Sequence, residues 1–82
     1  MNRLVKVKAE RPYVIAVTFS NGHTAEIDME PELHGKVFEP LRDFELFSEV
    51  AVDSDFGTIY WPTGADLSPE FIARAVSPAS TR

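Results

Sequence analysis

Apolar and polar residues alternate, cluster and break along this chain so as to divide it into short elements. Val5, Val7 and Ala9 alternate with Lys6 and Lys8, which predicts a half-buried strand with those apolar residues on one face. Arg11-Pro12 breaks it. The run from Tyr13 to Phe19 is β-branched and aromatic, with Tyr13, Ile15, Val17 and Phe19 on one face and Val14, Ala16 and Thr18 on the other. The second face is small and apolar rather than charged, so a central strand covered on both sides is expected. Ser20-Asn21-Gly22-His23 separates this run from Thr24–Met29, in which Ala25, Ile27 and Met29 face one way. Asn-Gly between alternating runs predicts a two-residue type I′ turn, because both residue types tolerate positive φ. The first half therefore reads as a three-stranded antiparallel meander.

The period then changes. Glu30-Pro31-Glu32-Leu33 starts a helical turn with Pro at its first position, and Gly35 is expected to end it. Val37 to Leu41 reads as a loop that inserts Phe38 and Leu41 into the core. Asp43 is placed to cap a short helix from Phe44 to about Glu49, with Phe44 and Phe47 on one face and Val50 behind. Val50–Asp53 and Thr58–Trp61 predict a second hairpin, joined by Ser54-Asp55-Phe56-Gly57 with Gly57 left-handed. Pro62 ends that strand, Gly64 permits a turn and Asp66 is positioned to bond it as an Asx-type turn. Ser68 caps a last helix that opens on Pro69 and carries Phe71, Ile72, Ala75 and Val76 as its apolar stripe. The expected fold class is a small single α+β domain: three-stranded antiparallel meander, short helix, second β-hairpin, C-terminal helix. It spans residues 1–76, with 77–82 as a flexible C-terminal tail.

Size and charge narrow what such a domain can do. At 82 residues the chain buries roughly 60–65% of its unfolded surface, so its core is small. It has no cysteine, which excludes disulfides and Cys-based zinc sites and fits a reducing compartment. No apolar run approaches a bilayer span, and Lys6 and Lys8 interrupt the apolar N-terminal residues that a signal peptide would need. A cytoplasmic protein without membrane contact is the default. The net charge of −5 repels phosphate and disfavours nucleic acid as a partner. Arg3, Lys6, Lys8 and Arg11 form one local basic strip, which also serves as the solvent face of an edge strand, where Lys discourages sheet-to-sheet pairing.

Candidate chemistry is sparse. No serine sits in a Gly-x-Ser-x-Gly elbow, His23 lies in a hairpin turn, and His34 stands beside Gly35; neither has an orienting carboxylate in sequence. Asp53, Asp55 and Gly57 share the start of a calcium loop, but Gly57 occupies the third ligand position and all three are good turn formers. His34 with Glu30 and Glu32 matches no zinc spacing. Gly57 and Gly64 are isolated, so no phosphate-cradling loop is present. The reading is a non-enzyme, with no catalytic, cofactor or metal residue assigned. Tyr60, Trp61 and Asp66 are the candidate interaction residues, since an exposed Trp is a frequent hot spot; the competing reading packs Trp61 under the last helix. An alternative is a small-ligand or enzymatic pocket between the second hairpin and the last helix, with Asp66, Thr63 and His34 converging near Trp61.

Several segments together resemble a known small bacterial family. They are Val17-Thr18-Phe19-Ser20-Asn21-Gly22 with Ile27-Asp28, then Phe38-Glu39-Pro40-Leu41-Arg42-Asp43 with Phe47. Val50-Ala51-Val52 and Gly57 to Leu67, with its Trp-Pro-x-Gly-Ala-Asp core, complete the match. The chain resembles the Domain of Unknown Function 2442 family from about Leu4 to Ile72. The resemblance carries over no catalytic residue, substrate or cofactor. It implies a protein partner in toxin–antitoxin-type gene pairs, with an antitoxin-like interaction module as the expected function. Self-association as a dimer is expected on separate grounds, because small domains gain stability by dimerising and Tyr13 to Phe19 can sit near a sheet edge. Some relatives carry an additional C-terminal DNA-binding domain; because this sequence stops after the last helix, binding through such a domain is not expected.

Overall fold

The computed structural model describes residues 3–76. The expected tail, 77–82, lies outside the described residues, as do Met1 and Asn2. Strands β1 (Leu4–Arg11), β2 (Val14–Phe19) and β3 (Thr24–Asp28) form one antiparallel sheet in that order, with β2 central. A helical segment follows: a 3-10 turn at Glu30–Glu32, α1 (Gly35–Phe38), a second 3-10 turn at Glu39–Arg42 and α2 (Phe44–Phe47). Strands β4 (Ala51–Asp53), β5 (Thr58–Tyr60) and β6 (Asp66–Leu67) make a second antiparallel sheet, and α3 (Pro69–Ala75) closes the domain. The α+β fold class holds.

The first strand departs from simple alternation. Leu4 pairs with Phe19 and Lys6 with Thr18, so Val5 is an extra residue in a bulge. One inserted residue moves every neighbour beyond it to the opposite face. Leu4 is therefore buried with Val7 and Ala9 at its side, and Val5, expected inside, is 38% exposed. A second shift at Glu10 brings Arg11 opposite Val14, on the same outer face as Lys8 opposite Ala16 and Lys6 opposite Thr18. No further layer covers this outer face among the described residues. Val14, Ala16 and Thr18 are only half-buried there, screened by the longer side chains of β1 and β3 rather than by a second core.

The first hairpin forms where expected, with a different turn. The Gly22 N–H donates to the Phe19 carbonyl and the Phe19 N–H to the His23 carbonyl, both at 2.9 Å. Gly22 alone is left-handed (φ +90°), and Asn21 keeps negative φ while its Oδ1 accepts the His23 N–H at 3.0 Å. This is a three-residue loop with a glycine bulge, not the two-residue type I′ turn. The second hairpin matches expectation: Asp53 Oδ1 accepts the N–H groups of Asp55 and Phe56 at 3.0 and 3.3 Å, and Gly57 (φ +69°) turns the chain back.

The helical segment holds more structure than a loop. Gly35 (φ +82°) opens α1 instead of ending the preceding turn, and Val37–Leu41 is helical throughout. Asp43 caps α2 by accepting the Glu45 N–H at 3.0 Å. The helix stops after one turn because the Glu49 N–H bonds back only three residues, to Leu46, and the Ser48 hydroxyl takes the Glu45 carbonyl. Arg42 Nε donates to the Leu33 carbonyl at 2.9 Å, and the Tyr13 hydroxyl donates to the Arg42 carbonyl. These two bonds tie the helical segment to itself and to the first sheet.

Met29, Leu33, Leu41, Phe47 and Trp61 meet the inner faces of both sheets in one fully buried cluster. On the last helix, Ser68 Oγ accepts the Phe71 N–H at 3.1 Å, as its position before Pro69 predicts. Ser68→Ala is expected to lower unfolding free energy by about 1 kcal/mol, read from urea denaturation with unchanged m-value. A change below a few tenths would show that the cap is not formed in solution.

Candidate functional site

The sequence-predicted contact residues separate in the structure. Trp61 is 2% exposed and belongs to the core. Its ring stacks on Phe47 (centroids 6.0 Å apart, 29° between planes) and meets Phe38 edge-on at 6.4 Å. Its indole N–H donates to the Phe47 carbonyl at 2.8 Å. Buried, stacked on Phe47 and with its only side-chain donor engaged, Trp61 offers nothing to a partner, so its candidacy as a contact is corrected to a structural role. Tyr60 and Asp66 stay outside. They are paired across β5 and β6, and both side chains are exposed on the outer face of the second sheet. Asp66 does not bond the preceding turn. The backbone closes it instead, through Gly64 N–H to the Trp61 carbonyl at 3.0 Å and Trp61 N–H to the Ala65 carbonyl at 2.9 Å. The two-residue strand β6 was missed because so short a segment shows no alternation.

A groove does lie between the second hairpin and the last helix, but Trp61 does not line it. Its volume is about 880 Å³. Leu4, Phe19, Ile72 and Val76 give it an apolar floor, and Phe56 stands at its rim, 75% exposed. Thr63, Asp66 and His34 lie elsewhere, so the polar convergence expected near Trp61 does not occur. His23 borders the groove while His34 sits on the helical segment, and the structure does not pair them as acid and base. Among the described residues no cluster of three or more His, Asp or Glu side chains is arranged to hold a metal ion. No helix of the described residues is long and apolar enough to cross a membrane.

Charge is segregated. Lys6, Lys8 and Arg11 share the outer face of the first sheet, yet two of the three are already paired. Arg11 meets Glu26 at 3.1 Å and Lys8 meets Glu10 at 3.5 Å. The hydrogen bond and charge of Glu26 raise the Arg11 pKa above its ordinary value. The stretch that contains the helical segment and its two flanks is the opposite case. From Asp28 to Asp55 the chain carries nine carboxylates against Lys36 and Arg42 alone. Neither ion pair of the described residues falls within it. Val37 and Phe44, 49% and 38% exposed, stand among these acids.

A family model described as a protein of unknown function, DUF2442, matches residues 4–77. The chain belongs to the DUF2442 family. No curated protein matches this DUF2442 chain. A crystal structure of the Nitrosomonas europaea ATCC 19718 protein named "Putative DNA Binding Protein NE0471" shares the fold, with a TM-score of 0.76 and 26% identity. The likeness covers 98% of this chain and 52% of that one, so the DUF2442 domain described here spans about half the length of that protein.

Trp61→Phe removes the indole donor and leaves the Phe47 carbonyl unpaired in the core. It is expected to cost roughly 2–4 kcal/mol in urea denaturation, combining the lost bond with the smaller ring. Tyr60→Ala and Asp66→Ala are expected to stay within about 0.5 kcal/mol of wild type, as surface substitutions do. Equal losses at all three positions would refute the division into one core and two surface residues.

Proposed function

We propose that this DUF2442 domain is a non-enzymatic protein-interaction module that docks a basic partner protein on its acidic helical segment, as the antitoxin-like member of a two-protein pair. The observation that carries the reading is the excess of nine carboxylates over two cations between Asp28 and Asp55, with Val37 and Phe44 exposed among them. Unpaired surface charge of one sign steers an oppositely charged partner and sets its orientation. Exposed apolar side chains within that field supply the desolvated contacts that hold the complex once formed.

The DNA-binding name of the Nitrosomonas europaea protein suggests a second reading, and the charge pattern weighs against it for this domain. Phosphate contacts need free Lys and Arg, and Lys8 and Arg11 are engaged by Glu10 and Glu26. About half of that protein also lies outside the likeness.

The test is co-expression with the product of the adjacent gene, followed by size-exclusion chromatography at micromolar concentration. The two are expected to co-elute at low salt and to separate progressively as salt rises, because screening weakens charge-led association. Reversing exposed charges with Glu45→Lys and Glu49→Lys is expected to weaken the complex by about tenfold or more. Separate elution at low salt overturns the proposal. So does a salt-dependent mobility shift of duplex DNA that exceeds any binding to protein.

A further inference from the structure

We infer that the apolar groove between the β4–β5 hairpin and α3 seats a second copy of this chain, with Phe56 of each protomer lodged in the groove of the other. This goes beyond the proposed partner reading, because it uses a different face. The groove and its plug lie side by side. Phe56 is the most exposed large apolar residue of the described chain, at 75%, and it stands at the rim of an apolar groove of about 880 Å³. A surface that carries both a projecting apolar residue and an apolar recess is self-complementary under a two-fold axis, the commonest symmetry of soluble oligomers.

The projection is also braced. Asp53 Oδ1 accepts the N–H groups of both Asp55 and Phe56, and the Gly57 N–H donates to the Asp53 carbonyl at 2.8 Å. A tip held this way loses little conformational freedom on docking, which is where a small interface otherwise loses affinity.

Charge complementarity singles out a second copy as the occupant. A domain of net charge −5 repels itself across most of its surface. The groove is locally balanced. Its permanently charged lining consists of Arg3, just before β1, and Asp55, from the hairpin tip. Neither side chain is in an ion pair among the described residues. When Phe56 of one protomer enters the other's groove, the adjacent Asp55 travels with it toward the partner copy's Arg3, and the symmetric pair forms at the same time. A basic protein would find one carboxylate here, Asp55, against the eight others carried between Asp28 and Asp53.

Sedimentation velocity of the chain alone, from low to high micromolar concentration, tests the inference. A reversible dimer is expected. Phe56→Ser is expected to raise the dimer Kd by about tenfold or more, the cost typical of an interface hot spot. Circular dichroism should show the fold intact, because Phe56 contributes little to the core. Asp55→Arg and Arg3→Asp should each weaken the dimer, and the double exchange should recover it. A monomer at every concentration overturns the inference, as does a dimer that ignores Phe56→Ser or fails to recover in the double exchange. If the chain alone stays monomeric while Phe56→Ser abolishes binding of the adjacent gene product, the groove belongs to that protein and the second copy is rejected. Loss of that complex through Glu45→Lys and Glu49→Lys, with the dimer unchanged, would separate this inference from the acidic-face reading.

Discussion

Trp61 is held at its ring face, its ring edge, its indole nitrogen and both of its backbone polar groups, and the rest of the domain is arranged around that restraint. The stack on Phe47 and the bond from the indole N–H to the Phe47 carbonyl join α2 to the end of β5. The Phe47 ring in turn meets Tyr13 edge-on at 5.5 Å, and the Tyr13 hydroxyl reaches the Arg42 carbonyl. One aromatic chain thus links the second sheet, the helical segment and the first sheet. In a domain this small the apolar core cannot hold three parts together through area alone. Oriented aromatic contacts and a satisfied buried donor add direction to that burial.

That restraint also decides which residues are left for function. Because the chain reverses at Pro62–Gly64 to bring Ala65 against the Trp61 backbone, the next two residues fall into register as β6. Leu67 turns inward opposite Ile59, and Asp66 turns outward opposite Tyr60. The Pro and Gly that follow Trp61 serve this reversal. What the fold leaves exposed lies elsewhere, on the acidic helical segment and at the Phe56 tip.

The architecture was largely legible in the sequence, and the failures share a cause. Alternation found β2 and β3 because an uninterrupted period of two survives folding there. It misplaced Val5 because a bulge inserts one residue without any local sequence mark, and the face then inverts. Asn-Gly located the first turn correctly, but the choice between a two- and a three-residue loop rests on pairing of Phe19 with His23, a contact between strands. Val37–Leu41 reads as a loop in sequence because Pro40 falls inside it and no helical period shows, yet Pro40 occupies the early position of a 3-10 turn where its missing N–H costs nothing. For the site, residue type pointed to Trp61 because hot spots and cores draw on the same aromatic residues. The hydrogen bond that decides between them reaches across 14 positions of sequence. Phe56 is one residue of a turn in sequence, and only the folded hairpin sets it beside a groove.

The acidity of the helical segment exceeds what its local structure needs. Asp28, Asp43 and Asp53 each use a side-chain oxygen to bind a backbone N–H, which explains their positions. Glu30, Glu39 and Glu45 stand in first turns, where the partial positive charge of free N–H groups favours them. That benefit is small, because the field of a helix grows with aligned peptide units and these helices run three or four residues. Neutral residues such as Ser or Asn cap a turn as well as Asp does, as Ser68 shows on α3. Nine like charges within one segment also repel one another, a cost that capping does not require. Capping therefore explains where some of these carboxylates sit and leaves their number unexplained. An external positive charge relieves the repulsion they create among themselves.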